Sequence, residues 1–95
     1  MVRFEETEDF DELKKLISNY VFEKTARNYP PFFISVVNVE NNSLTDALSK
    51  FEKEKETTLE QVDDFNCGKF SGVICEFPVF DCCSVFGKDL VIFLK

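Results

Sequence analysis

The sequence predicts an α+β fold: two or three helices packed on a mainly antiparallel sheet of four to five strands, in a single domain over residues 1–95. Three observations predict it. A helical apolar stripe runs from Phe10 to Lys24, a β-branched and aromatic run occupies residues 32–39, and from Lys69 onward short apolar runs are punctuated by glycine and proline. A 44% apolar, 31% charged composition suits a folded globule and excludes collagen-like, low-complexity and wholly disordered classes.

Val2 and Phe4 alternate with Arg3 and Glu5, which reads as a short edge strand. Thr7 or Asp9 can cap the following helix, and Glu8, Asp9, Asp11 and Glu12 place negative charge at its positive end. Phe10, Leu13, Leu16, Ile17, Tyr20, Val21 and Lys24 recur every three to four residues and give this helix one core-facing stripe. Pro30 and Pro31 end it, because proline lacks an amide proton and drives its predecessor toward extended backbone. In residues 32–39, Phe32, Ile34 and Val36 alternate with Phe33, Val37 and Val39, so this strand expects cover on both faces.

Asn41 and Asn42 are expected to turn the chain, and Ser43 to cap a second helix with the stripe Leu44, Ala47, Leu48 and Phe51. Residues 57–60 repeat a capping-box pattern. Leu59, Val62 and Phe65 are therefore expected in a short third helix or at the end of one long helix, stopped by Asn66, Cys67 and Gly68. Residues 70–80 read as a strand with Val73, Cys75, Phe77 and Val79 on one face and Phe70, Ile74 and Phe80 on the other, interrupted by Gly72 and Pro78. Val85 and Phe86, a Gly87-Lys88-Asp89 turn and residues 90–94 are expected to close a hairpin.

Charge is uneven. Residues 1–66 hold fifteen acids and eight bases, whereas residues 67–95 hold three of each, so the whole net charge of −7 sits in the first two thirds. That sign disfavours nucleic acid and anionic membranes as partners. There is no histidine, which removes the usual neutral-pH acid/base group and the commonest metal ligand, and with it any serine–histidine triad. Residues 1–9 carry four acids and no apolar core, so no secretory signal is expected; the longest apolar run, residues 90–94, is far too short to span a bilayer. The expected address is cytoplasmic.

Residues 32–39 and 90–94 are apolar on both faces, and twelve phenylalanines must be kept from water. If the helices cover one face of the sheet, the other needs a second subunit. An obligate homodimer is the expectation, its core drawn from Phe33, Val37, Val39, Phe77, Phe86, Val91 and Phe93.

Few constellations suggest chemistry. The spacing of Cys67, Cys75, Cys82 and Cys83 matches neither a structural zinc site nor a two-cysteine redox motif. Small buried core residues are the first reading, with a disulfide to the vicinal pair or a reactive thiol behind it. Glu5, Glu6, Glu8, Asp9, Asp11 and Glu12 form an acidic row, either a solvated helix start or a docking surface for a basic protein. Tyr20 and Tyr29 read as packing residues, and Gly68, Gly72 and Gly87 are too scattered to cradle a phosphate. No cofactor, metal or catalytic residue is assigned.

With the opening MVRFEETEDFDELKKL and the close CEFPVFDCCSVFGKDLVIFLK in view, the chain resembles the small orphan proteins of hyperthermophilic archaea in size, acidity and phenylalanine content. The resemblance implies an α+β protein and a cytosol that permits disulfides, and carries over no functional residue. The expected function is a non-enzymatic interaction or structural module. Its rivals are a thiol- or carboxylate-dependent enzyme at the dimer interface and an inhibitor that mimics nucleic acid through its carboxylates.

Overall fold

The computed structural model describes the backbone of residues 1–39, 43–81 and 84–95, and their side chains except those of 80, 81 and 84–86. The chain runs β1 (Val2–Arg3), α1 (Phe10–Thr25), a 3₁₀ turn (Pro31–Phe33), β2 (Ser35–Asn38), α2 (Leu44–Lys55), β3 (Glu60–Cys67), β4 (Phe70–Asp81) and β5 (Ser84–Leu94). The strands form one mixed sheet in the order β1-β3-β4-β5-β2. Its centre, β3-β4-β5, is antiparallel, while β1 lies parallel to β3 and β2 parallel to β5. Parallel neighbours need crossover connections, and the helices supply them.

Asp9 caps α1 by accepting from the Asp11 amide at 2.9 Å, and the helix buries Leu13, Ile17, Ser18 and Val21. Ser43 caps α2 by accepting from the Asp46 amide at 3.2 Å. The two helices lie on opposite faces of the sheet. Beneath α1, Phe65, Cys67, Ile74, Leu90 and Ile92 close a core with Tyr29 and Ile34; beneath α2, Val73, Cys75, Val91 and Phe93 pack with Leu44, Ala47, Leu48 and Phe51. Alternate residues of β4 and β5 serve alternate cores, as the two-residue strand period requires. Rings meet edge to face where they lock the helices down: Phe10 on Phe70 at 5.6 Å, Phe51 on Phe93 at 5.7 Å.

This arrangement corrects the premise that one sheet face lacks a cover. Val91 and Phe93 are fully buried by the same chain, beneath α2. The sequence reading placed both helices on one side, and the crossover topology places one on each. Of the proposed dimer core, Val37, Val39 and Phe77 are partly buried against that same cluster, Phe33 is exposed, and the side chain of Phe86 lies outside the described residues.

Three element assignments also change. Residues 60–67 are β3, not helix: the glycine read as a helix stop is instead the first residue of a two-residue hairpin loop between Cys67 and Phe70, with a φ of 59°. Gly87, Lys88 and Asp89 are not a turn but paired residues of a continuous β5, opposite Val79, Pro78 and Phe77. Only Ser35–Asn38 of the 32–39 run is strand, because Pro31 starts a 3₁₀ turn that takes Phe32 and Phe33. Asn41 and Asn42 lie outside the described residues, as do Cys82 and Cys83.

β3 stops pairing at Glu60 opposite Glu76, and β2 begins only at Ser35 opposite Val91, yet β4 and β5 stay paired out to Asp81 and Ser84. The central hairpin therefore continues past its neighbours as a two-stranded ribbon.

Candidate functional site

Glu76 sits where the ribbon leaves the sheet. A charged residue on the core-facing side of a central strand must be compensated, and this one is only 3% exposed. Arg27, just past the end of α1, grips it with two parallel bonds, Nε to Oε2 at 2.7 Å and Nη2 to Oε1 at 2.8 Å. The Tyr29 hydroxyl donates to Oε2 at 2.5 Å, and the Tyr29 carbonyl accepts from the buried Ser18 hydroxyl. The Arg27 guanidinium holds the Glu76 carboxyl below the usual glutamate range, with Tyr29 adding to this and burial opposing it. Burial and the glutamate hydrogen bond push the Tyr29 phenol up. Both Glu76 carboxylate oxygens are bonded, and no buried side-chain polar atom among the described residues lacks a partner, so the group acts as a clamp that fastens the α1–β2 connector to the sheet.

A second cluster pins the far side of α1. Tyr20 donates to Asp63 Oδ2 at 2.6 Å, and Lys24 Nζ donates to the Val62 carbonyl at 3.0 Å. The Tyr20 bond, helped by the Asp64 amide and nearby positive charge, lowers the Asp63 carboxyl to about 2. Tyr20 also stands edge-on to Phe4 at 5.9 Å, so its expected packing role holds while its hydroxyl meets a carboxylate.

The structure separates the other sequence candidates. Cys67 and Cys75 are free, buried thiols serving opposite cores, and Cys67 donates to the Glu5 carbonyl. Burial pushes the Cys75 thiol up to about 12, the reverse of what a nucleophilic cysteine requires. Glu5, Glu6, Glu8, Asp9, Asp11 and Glu12 are all exposed along the β1–α1 connection, where Asp9 caps the helix and Glu12 accepts from Thr7. Among the described residues, no three cysteine, aspartate or glutamate side chains are grouped to hold a metal, and no helix is long and apolar enough to cross a membrane.

Two features escaped the sequence reading. The first is the Glu76 clamp, whose signal was available: Glu76 is the lone charge among Ile74, Cys75, Phe77 and Val79, on the same face as Ile74. The second is the exposure of Phe32 and Phe33, at 76% and 72%, with ring centroids 4.5 Å apart. Phe33 borders a recess of about 240 Å³ shared with Asn28, Pro30, Lys88, Asp89 and Leu90, beside the β5 edge at the root of the ribbon, while Phe32 lines a recess with Asp11, Lys14 and Lys15 at the start of α1. No protein-family model, curated protein or solved structure matches the chain.

Proposed function

We propose that the protein is a non-enzymatic association module that works as a homodimer, joined at the sheet edge where Phe32 and Phe33 stand. The observation that carries this reading is that aromatic pair, two large rings held out in water beside a ribbon that runs past the rest of the sheet. Exposed aromatic pairs of this kind serve as anchors of interfaces, because their burial yields much area for little lost side-chain freedom. The side chains able to do chemistry are committed elsewhere: Glu76 to its clamp, Cys75 to the α2 core, Asp63 to Tyr20. With that edge joined, the acidic residues Glu5, Glu6, Glu8 and Asp9 that follow β1 lie away from the join and offer negative charge to a basic protein.

Light scattering over a concentration series tests the reading. The expected mass is twice the 11.0 kDa of one chain, and F32S/F33S, which changes only exposed side chains, is expected to return a folded monomer whose cooperative melt no longer depends on concentration. A monomer at every concentration for the unaltered chain overturns it.

A further inference from the structure

We infer that the two copies join by strand addition along the open edge of β5, antiparallel about a two-fold axis, so that the sheets of both copies become continuous. This rests on the homodimer reading above and names its mode.

The ribbon has two edges, and they are not equivalent. Pro78 pairs with Lys88, and the Pro78 carbonyl accepts from the Thr57 hydroxyl at 3.4 Å on the β3 side. In an antiparallel ladder a residue's N and O point the same way, so Pro78 also turns its hydrogen-free nitrogen toward that side. A strand added there would meet a missing donor, and the edge is closed in the way natural sheets close edges. Lys88, as the partner in this pair, directs its own N–H and C=O away from β4, toward the opposite edge. The rest of β5 agrees: the Leu94 carbonyl accepts from Val39 on the β2 side at 2.7 Å, and the alternate residue Lys95 donates to Ser71 of β4 at 2.9 Å. N-terminal to Leu90, no strand among the described residues pairs with this edge. The 240 Å³ recess beside Lys88 and Leu90 leaves space along it, and Phe33 lines the wall.

A second copy is the occupant that the charge distribution favours. Glu5, Glu6, Glu8 and Asp9 follow β1, at the far side of the sheet from β5 and β2, and residues 67–95 are neutral; Asp11 of the acidic row lies nearer the aromatic turn, lining a recess with Phe32, where Lys14 and Lys15 accompany it. Joining two chains of net −7 at the β5 edge places their acidic edges on the outside, separated by the widths of both sheets. Three strand spacings of about 4.8 Å from β1 to β5 put each acidic edge roughly 14 Å from the joined strand, more than a Debye length at physiological salt. Pairing through β1 would instead bring the two acidic rows together.

Amide hydrogen exchange on the unaltered protein is the test, read at concentrations above and below the dimer midpoint. The Lys88 amide is expected to exchange at least tenfold more slowly in the dimer than in the diluted monomer, while Asp89, already paired with β4, changes little. Lys88→Pro, which removes a proton that the monomer's own ladder does not use, is expected to give a folded monomer. A dimer whose Lys88 amide exchanges as fast as in the monomer, or one that persists in folded Lys88→Pro, overturns strand addition and leaves the homodimer reading standing. Absence of any dimer in the unaltered chain overturns both.

Discussion

Glu76, Arg27 and Tyr29 make opposite predictions depending on which member is removed. Arg27→Met leaves a buried carboxylate without its counter-charge, and a loss of stability at pH 7 is expected by chemical denaturation, smaller than for a wholly buried pair because the Arg27 side chain is 44% exposed. The double variant R27M/E76L removes both charges and is expected to recover most of that loss, since the cost lies in the orphaned carboxylate more than in the pair's attraction. Acid has a signed effect on the intact clamp. Folding lowers the Glu76 pKa, so the unfolded chain binds more protons through that range; stability is full above the ordinary glutamate value of about 4.3 and falls as pH drops below it. Asp63 adds a loss of the same sign between the ordinary aspartate value of about 3.9 and its own value of about 2. Melting temperature should therefore decline steadily through this acid window, and less steeply in Glu76→Gln. In Arg27→Met burial is opposed only by the Tyr29 hydroxyl and the Lys88 charge, so the decline in acid should be shallower than in the intact chain.

At the scale of elements, two backbone positions carry clear expectations. Both helices end on left-handed residues that are not glycine, Ala26 at φ 62° and Glu56 at φ 51°. Ala26→Gly should raise stability by about 0.5–1 kcal/mol, because glycine occupies that region without steric cost. Gly72 is the reverse case. A Cβ there would sit 1.8 Å from the Phe93 carbonyl oxygen, so Gly72→Ala must force β4 from β5 and should cost about 3 kcal/mol or more, seen as loss of the cooperative melt. The helices were legible because their caps and stripes are local: Asp9 with Phe10 to Lys24, Ser43 with Leu44 to Phe51. The two faces of β4 were legible for the same reason as far as Phe77; the side chain of Phe80 lies outside the described residues. β3 was misread because its signal is ambiguous within the segment. Leu59, Val62 and Phe65 step at helical spacing, while the bulge between Gln61 and Asp63 breaks the two-residue alternation that would have marked a strand. The Gly87-Lys88-Asp89 turn failed differently, since a glycine and two charges suit a loop locally and only the pairing with β4 shows them as strand.

For the whole molecule, composition pointed to association by an argument that the topology removes and then replaces. Twelve phenylalanines and two doubly apolar strands do need cover, and α1 and α2, one on each face, provide it for Phe65, Phe93 and their neighbours. Among the described residues, those left uncovered include an edge, namely Phe32, Phe33 and the backbone of β5 before Leu90, besides the separate exposed side chains of Met1 and Phe22. Edge pairing of this kind cannot be read from side-chain patterns, because it is set by where β2 stops and by which way Lys88 turns its amide. Small-angle X-ray scattering on the concentrated protein tests this most directly, since the monomer has a longest extent of 41 Å and a radius of gyration of 13.2 Å. Two sheets joined edge to edge should give twice the mass and a maximum dimension well beyond 41 Å, collapsing to the monomer profile in F32S/F33S. A particle of single-chain mass, or a compact dimer stacked face to face with a maximum dimension close to 41 Å, would contradict the account.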